Sequence, residues 1–233
     1  AAPDGASAID AWRLAHEAER LFHGTPSGVD TGLALGPGLC VFHPRPGALP
    51  VRTELPGTGL SLVVSAVPRN DACGPLVAGI ARRMAEGDAP TAERMAALGR
   101  IAEEAAGLFA ALEAGSVAAR HHGAERGADS AGAARVPDTA PVTELARAIA
   151  GLADEAMEHL RCLGLGNEAQ DALLDAGREA GGLGGKLSGA GGGGAFYLVA
   201  PDRRTAGHVA AAIRRAARRL GVVLVAPVSI MRI

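Results

Sequence analysis

The sequence has few cysteines and no long apolar run. Its three cysteines, Cys40, Cys73 and Cys162, lie far apart and lack the spacing of a metal site. An odd, sparse number of cysteines argues against a disulfide framework and favours a reducing compartment, so we expect a cytoplasmic protein. No apolar run approaches the roughly 18–20 residues of a membrane-spanning helix, and no basic segment followed by an apolar one marks a signal peptide. We therefore expect neither secretion nor membrane insertion.

Charges of the two signs nearly cancel. The 233 residues include 23 Lys plus Arg and 25 Asp plus Glu, so the balance gives no electrostatic reason to expect a nucleic-acid or membrane partner. Arginines cluster between residues 203 and 219, but that segment also has an inward apolar stripe and no interleaved aromatic residues, which indicates a solvated helix face. Apolar residues make up 48% of the chain, enough to bury the core of one large domain or two small ones.

The order of periodic segments predicts an α+β fold. A capping box, Ser7-Ala8-Ile9-Asp10, begins a helix that stops before Gly24 and Pro26. The final fifty residues alternate glycine loop, strand, helix and strand, which predicts an antiparallel or mixed sheet with helices packed on one face. Further helices are predicted at 76–86, 91–113, 145–163, 167–180 and 204–220, and strands at 39–42, 51–53, 60–67, 195–200 and 222–230. Periodicity is lost between residues 115 and 141, which we interpret as a long surface insertion.

Asp30 is the first candidate for chemistry. It follows the turn Pro26-Ser27-Gly28, in which proline fixes the chain direction and glycine permits close packing. Such a turn can aim a carboxylate at a substrate hydroxyl. An aspartate in this position also serves as an ordinary turn or cap residue, and the spacing alone leaves both interpretations open.

Glu19 lies eleven residues before Asp30 on the preceding predicted helix. Helical geometry places it on one stripe with Trp12, His16 and His23. A second carboxylate near the first suits a magnesium-dependent phosphoryl transfer, because the metal bridges phosphate oxygens and keeps oxygen ligands of its own. The alternative is a solvated surface glutamate.

A glycine-rich stretch between residues 181 and 194 holds nine glycines. Its letters satisfy a dinucleotide-binding fingerprint, but that fingerprint needs a strand before and a helix after. Here we predict a helix before the stretch and a strand after it. Tight bracketing by regular elements argues against a flexible linker and favours close approach of the backbone to a phosphate or to a neighbouring loop.

These two stretches together resemble a known enzyme family. Residues 19–30 resemble the central motif of mevalonate kinases, and residues 186–194 resemble the third motif of the galactokinase, homoserine kinase, mevalonate kinase and phosphomevalonate kinase superfamily. Segments at 67–70, 76–79 and 160–166 are similar to mevalonate kinases as well. The resemblance implies the C-terminal part of a two-domain small-molecule kinase fold, with residues 1–60 from the N-terminal kinase domain and residues 61–233 as the C-terminal domain.

The resemblance also implies a reaction and a set of site residues. The reaction is transfer of the γ-phosphoryl group of ATP to the primary hydroxyl of mevalonate, in isoprenoid synthesis. Asp30 would be the catalytic aspartate, and Glu19 would bind Mg²⁺. Three residues would shape the substrate side: His23, Gly24 and Ser27. Six would support the nucleotide loop: Ser188, Gly189, Ala190, Gly191, Gly192 and Gly193.

The sequence departs from this family in three places. A lysine-bearing first motif and a Gly-Leu-Gly-Ser-Ser-Ala phosphate loop do not occur before Glu19, so we expect a C-terminal portion that is inactive on its own. Asp71-Ala72-Cys73-Gly74 stands where the family has threonine and a basic residue, and Ser188 stands where threonine is commoner. Alternatives are a kinase for phosphomevalonate or a sugar, and a non-catalytic binding or dimerisation module. A homodimer remains open.

Overall fold

The structure is a computed structural model that describes residues 7–23, 26–36, 38–45, 47–70, 73–124 and 140–233. The helices in these residues are α1 Ala8–His23, α2 Val29–Leu33, α3 Cys73–Ala85, α4 Ala89–Ala124, α5 Ala140–Cys162, α6 Glu168–Glu179 and α7 Arg203–Leu220. The strands are β1 Leu39–Arg45, β2 Ala48–Leu55, β3 Ser61–Val67, β4 Gly184–Leu187, β5 Gly194–Ala200 and β6 Ala226–Arg232. None of the helices in the described ranges is long and apolar enough to cross a membrane.

The chain forms two compact units, a first unit of Ala1–Gly57 and a second unit of Thr58–Ile233. The first unit contains α1, α2 and the antiparallel hairpin of β1 and β2. Helix α1 begins at the predicted capping box, since the Asp10 amide donates to Ser7 Oγ at 3.2 Å and the Ser7 hydroxyl donates to the Asp10 carboxylate at 2.7 Å. Assignment of this unit to a kinase N-terminal domain stays a prediction.

A small aromatic core joins the elements of the first unit. The rings of Trp12 on α1 and Phe42 on β1 meet edge to face, with centroids 6.2 Å apart. Gly32 of α2 fits between them, because an added Cβ would lie 2.5 Å from the Phe42 ring and 2.8 Å from the Trp12 ring. Helix α2 was not predicted, since its five residues are too few to show a helical period.

A four-stranded antiparallel sheet forms the centre of the second unit. Its strand order is β4-β5-β3-β6. Along β3 alternate residues are buried, which shows that one face of the sheet is covered. The buried residues on that side pack with helices α5, α6 and α7 and include Val63, Val67, Met157, Leu160, Leu173, Leu174, Phe196, Leu198, Val209 and Ile213. The predicted α+β fold, with helices packed on one face of the sheet, is confirmed.

Three element predictions need correction. Residues 115–124 continue α4 instead of opening a surface insertion, because their alanines sustain a helix without an apolar period. The remainder of that segment, residues 125–139, lies outside the described residues, and α5 already begins at residue 140. Strand β4 precedes the glycine loop where a helix was expected, and β6 begins at residue 226 instead of 222. Because a strand still follows that loop, the dinucleotide fingerprint remains excluded.

Candidate functional site

Asp30 lies in the first turn of α2, with its side chain exposed. The turn before it is held from two sides. Trp12 Nε1 donates to the Gly28 carbonyl at 3.3 Å, and Gly28 has a left-handed φ of 73°. A Cβ on Gly28 would lie 2.9 Å from Pro50 Cδ and 3.1 Å from His16 Nδ1. Glycine therefore permits the close packing that fixes the direction in which the chain presents Asp30.

Glu19 is partly buried on α1, with 20% of its side chain exposed. Its Oε2 accepts a hydrogen bond from Thr31 Oγ1 at 3.3 Å and lies 3.9 Å from His16 Nδ1. This environment argues against a freely solvated surface glutamate. The predicted stripe is also visible, because Trp12 and His16 on the same helix are buried.

Glu19 fits one part of a magnesium site. Within the described residues, no group of three or more His, Cys, Asp or Glu side chains is placed to hold a metal ion. Mg²⁺ commonly keeps several waters and binds one or two carboxylates plus phosphate oxygens, so a single oriented carboxylate suits it. Its role as a ligand stays a prediction.

The three predicted substrate residues flank the same turn. Ser27 is exposed, and its Oγ accepts a hydrogen bond from the Val29 amide at 3.3 Å. His23 ends α1, but its side chain lies outside the described part of the structure. Gly24 is also outside the described residues. Their substrate roles stay predictions.

In the second unit, residues 188–193 form a loop between β4 and β5, which we term the glycine loop. Two neighbouring segments hold it through backbone hydrogen bonds. The Gly192 amide donates to the Leu165 carbonyl at 3.1 Å, and the Asn70 amide donates to the Gly192 carbonyl at 2.8 Å. Ser188 and Gly189 remain exposed at the start of the loop. The loop is therefore fixed at its centre and exposed at its first two residues, which we term its tip.

Two glycines in this loop are required by their surroundings. Gly191 and Gly193 have φ values of 87° and 113°. An added Cβ on Gly191 would overlap the Leu165 carbonyl, and one on Gly193 would overlap the Pro68 carbonyl. Between the linker and close-approach interpretations, the geometry favours close approach to neighbouring loops.

Polar side chains on helices α5 and α6 hold the chain at both ends of the glycine loop. At its far end Gln170, which is fully buried, donates to the carbonyls of Gly194 at 2.9 Å and Ala195 at 3.2 Å. Before its near end, Asp154 accepts from the Gly185 amide at 2.9 Å and from the Arg178 guanidinium at 2.6 Å. Gln170 lies near the start of the helix predicted at 167–180, and no sequence signal marks its contact with the loop.

Arg69 is a further candidate that sequence reasoning noted only as part of the resembling segment 67–70. Its side chain is exposed and lies against the glycine loop, with one guanidinium nitrogen 3.6 Å from a Cβ built on Gly189. Arg69 makes no ion pair with another described residue. A free guanidinium beside an open glycine tip can bind an anionic group.

Lys186, the only lysine in the chain, precedes the glycine loop on β4. Its Nζ donates to the Leu187 carbonyl at 2.8 Å and lies 5.7 Å from the ring centre of Tyr197. Burial lowers the pKa of Lys186. Burial, aided by the Asp154 carboxylate, raises the pKa of Tyr197 to about 12. Burial therefore makes the charged form of each group less favourable beside the loop than it is in water.

Residues 139–219 match the family model described as GHMP kinases C terminal. The chain is 31% identical to human mevalonate kinase over 186 residues, which are 80% of this chain and 39% of the human protein. It thus spans well under half the length of this curated relative.

Solved structures show the same fold. The crystal structure of L. major mevalonate kinase in complex with R-mevalonate has a TM-score of 0.67 and 17% identity, covering 91% of this chain and 55% of that one. Streptococcus pneumoniae phosphomevalonate kinase, in complex with phosphomevalonate and AMPPNP, has a TM-score of 0.62 and 13% identity, covering 95% of this chain and 60% of that one. These structural similarities confirm the predicted kinase fold, and the matches to the family model and to human mevalonate kinase confirm the family resemblance.

Proposed function

We propose that this chain, which carries a GHMP kinase C-terminal domain, supplies part of an ATP-dependent kinase that phosphorylates the primary hydroxyl of mevalonate. The observation that supports it most is the arrangement in the first unit. An exposed carboxylate, Asp30, follows a rigid turn, and the hydroxyl of the next residue, Thr31, binds the carboxylate of Glu19. General base and metal ligand are thus joined through one short helix.

Asp30 would act on the substrate hydroxyl. Its carboxylate is exposed, so it can accept a hydrogen bond from a bound alcohol. As the alcohol oxygen bonds to phosphorus and the bond to ADP breaks, the hydroxyl proton moves to an Asp30 carboxylate oxygen. The rigid turn at Gly28 limits the positions that this carboxylate can adopt, which favours a productive geometry.

Glu19 would hold Mg²⁺ through its carboxylate. A bound Mg²⁺ would supply positive charge that stabilises the phosphate groups during the transfer. Glu19 is restrained by Thr31 and is only partly exposed, so it presents its carboxylate with little loss of side-chain freedom on binding.

The glycine loop would receive an anionic group of the substrates. Its centre is fixed by Asn70 and Leu165, while its tip at Ser188 and Gly189 is open. The guanidinium of Arg69 supplies positive charge beside that tip. Because the loop is already ordered, little conformational entropy is lost when a ligand binds.

Enzyme kinetics test the proposal. The 233-residue chain alone should show negligible ATP-dependent phosphorylation of mevalonate, since its sequence has no phosphate loop before Glu19. A protein in which a lysine motif and a phosphate loop are joined to this chain should turn over. Asp30→Asn should then lower kcat by roughly a hundredfold or more, whereas Asp175→Asn, an exposed aspartate on α6, should not.

Turnover by the 233-residue chain alone would refute the expected inactivity. Full activity of the joined protein with Asp30→Asn would refute the role of Asp30. A higher kcat/KM for phosphomevalonate than for mevalonate would favour the second kinase interpretation, which the structural similarity to the phosphomevalonate kinase supports at the level of fold.

A non-catalytic binding module is the remaining alternative. Calorimetric titration of the chain with ATP, with and without Mg²⁺, separates it from an enzyme part. Binding that depends on Mg²⁺ and is weakened by Glu19→Gln supports a residual catalytic site. If ATP binds neither with nor without Mg²⁺, the result favours the non-catalytic binding module.

A further inference from the structure

Thr31 contacts the proposed metal ligand directly. Its Oγ1 lies 3.3 Å from Glu19 Oε2 and 3.4 Å from the Gly28 carbonyl, so its single hydrogen can go to either acceptor. Thr31 is partly buried in α2, which limits its movement. The hydroxyl therefore connects the carboxylate on α1 with the turn that precedes Asp30.

The contacts of Glu19 are confined to one of its oxygens. Thr31 Oγ1 and His16 Nδ1 both approach Oε2, at 3.3 Å and 3.9 Å. His16 is 5% exposed, and its Nδ1 makes no hydrogen bond with another described residue. No described side chain donates to the other Glu19 oxygen, Oε1. Among the described residues, Oε2 thus has one hydrogen-bond donor, Thr31, and Oε1 is left for another ligand.

We propose that Thr31 is a positioning residue that holds Glu19 so that Oε1 binds a divalent cation. This inference rests on the proposed function, in which Glu19 is a metal ligand. Carboxylates that bind metals are commonly fixed by outer hydrogen bonds, and loss of such a partner typically weakens metal affinity by about 10- to 100-fold. Without the hydroxyl, the Glu19 side chain would sample more rotamers, and it would lose more conformational entropy when the cation binds.

The position of Thr31 gives this contact a second consequence. It follows Asp30 directly in the first turn of α2. Any movement of α2 that shifts Asp30 also shifts the hydroxyl that holds Glu19, so one element sets both groups. Thr31 therefore links the position of Asp30 on α2 to the orientation of the Glu19 carboxylate on α1.

Mn²⁺ binding to the 233-residue chain tests the proposal without enzyme activity. Mn²⁺ stands in for Mg²⁺ because its paramagnetism broadens NMR signals near the site and allows free ion to be counted. We expect broadening centred on residues 16–31. Thr31→Val, which removes only the hydroxyl, should raise the Mn²⁺ Kd by about tenfold or more, and Thr31→Ser should restore it.

Glu19→Gln and Glu17→Gln are the matched pair on α1. Glu19→Gln should abolish the localised broadening, whereas Glu17→Gln, on the exposed side of the helix, should leave it unchanged. The fluorescence of Trp12, the only tryptophan, checks the folding of each variant. If Thr31→Val fails to fold, the comparison of Thr31→Ala with Thr31→Ser measures the same hydroxyl.

The outcomes separate the two hypotheses. Loss of binding in Glu19→Gln together with an unchanged Kd in the folded Thr31 variant without a hydroxyl would overturn the role of Thr31 and leave the proposed function intact. Unchanged binding in Glu19→Gln would overturn the metal role of Glu19 and, with it, this inference. Weakened binding in Thr31→Val with rescue by Thr31→Ser supports both.

Discussion

Gln170 Nε2 donates to two consecutive carbonyls, that of Gly194 at 2.9 Å and that of Ala195 at 3.2 Å. The side chain is fully buried, so these hydrogen bonds form away from water. Replacing Gln170 with leucine removes the side-chain donor to the Gly194 carbonyl and leaves the Ala195 carbonyl with the Ser188 amide as its donor, so the free energy of unfolding should fall by about 1–3 kcal/mol. Urea denaturation measures the loss, and hydrogen exchange at residues 192–195 locates it.

Gln170→Glu is the sharper variant. Above the pKa of the new carboxyl, it places negative charge against two carbonyl oxygens, so it should destabilise the fold more than Gln170→Leu does. Glu168→Gln, in the first turn of the same helix, is the control and should change stability little. Wild-type stability for Gln170→Glu at neutral pH would contradict the role of the amide.

Gly191 and Gly193 should not tolerate alanine. Both residues have positive φ, and a Cβ would overlap the carbonyl of Leu165 or Pro68. Strain and overlap together should cost each variant about 2 kcal/mol or more of unfolding free energy. Gly207→Ala, in open space on α7, should instead raise stability by about 0.5–1 kcal/mol. Equal midpoints in urea for the three variants would refute the required close approach.

The glycine loop shows where sequence reasoning reached its limit. The nine glycines in residues 181–194, which include this loop, were enough to predict close backbone approach. Gln170 and Thr31 were missed because each acts through a tertiary contact that its neighbours in sequence do not encode. A polar residue on a helix looks the same in sequence whether it is solvated or fully buried.

Element prediction had similar limits. Helix α1 and strand β3 were predicted because a capping box and a short, mostly apolar segment are local sequence signals. Strand β4 was not, since two glycines and a lysine have low strand propensity. It forms because β5 pairs with it and because Asp154 accepts from the Gly185 amide, two interactions that exist only in the folded unit.

Tyr197 should lose its proton only at strongly alkaline pH. Burial raises its pKa to about 12, from an ordinary value of about 10. The folded state therefore holds this proton more tightly than the unfolded state does. The associated stability is complete below pH 10 and is lost as pH rises to 12, at about 1.4 kcal/mol per pH unit within that window.

Absorbance at 295 nm measures the titration directly, because Tyr197 is the only tyrosine. Tyr197→Phe, which removes the phenol, should lose less stability than the wild type between pH 10 and pH 12. A midpoint near pH 10 in the folded protein would show that the phenol is solvated and would contradict the prediction.

The buried charge of Lys186 should lower the stability of the folded state at neutral pH. Burial lowers its pKa, so the charged ammonium is less favourable in the folded chain than in the unfolded chain. The penalty is complete below the folded pKa and disappears as pH rises to the unfolded value of about 10.4. Lys186→Met should therefore be at least as stable as the wild type at pH 7, with an advantage that shrinks as pH rises from the folded pKa to the unfolded one.

Reductive methylation with ¹³C gives the titration of Lys186, since the only other amine is the chain terminus. The methyl signal of Lys186 should titrate below 10.4 in the folded protein and move to about 10.4 in urea. A folded midpoint at or above the unfolded one would contradict the effect of burial.

Gly32→Ala tests the packing of the first unit. An added Cβ would lie 2.5 Å from the Phe42 ring and 2.8 Å from the Trp12 ring, so the aromatic pair must separate. Overpacking of this kind typically costs about 1–3 kcal/mol.

Trp12 is the only tryptophan, and its fluorescence therefore follows this unit during urea unfolding. The midpoint should fall in Gly32→Ala and stay at the wild-type value in Gly36→Ala, where the space is open. Equal midpoints in the two variants would mean that the aromatic pair does not enclose Gly32 and would contradict the prediction.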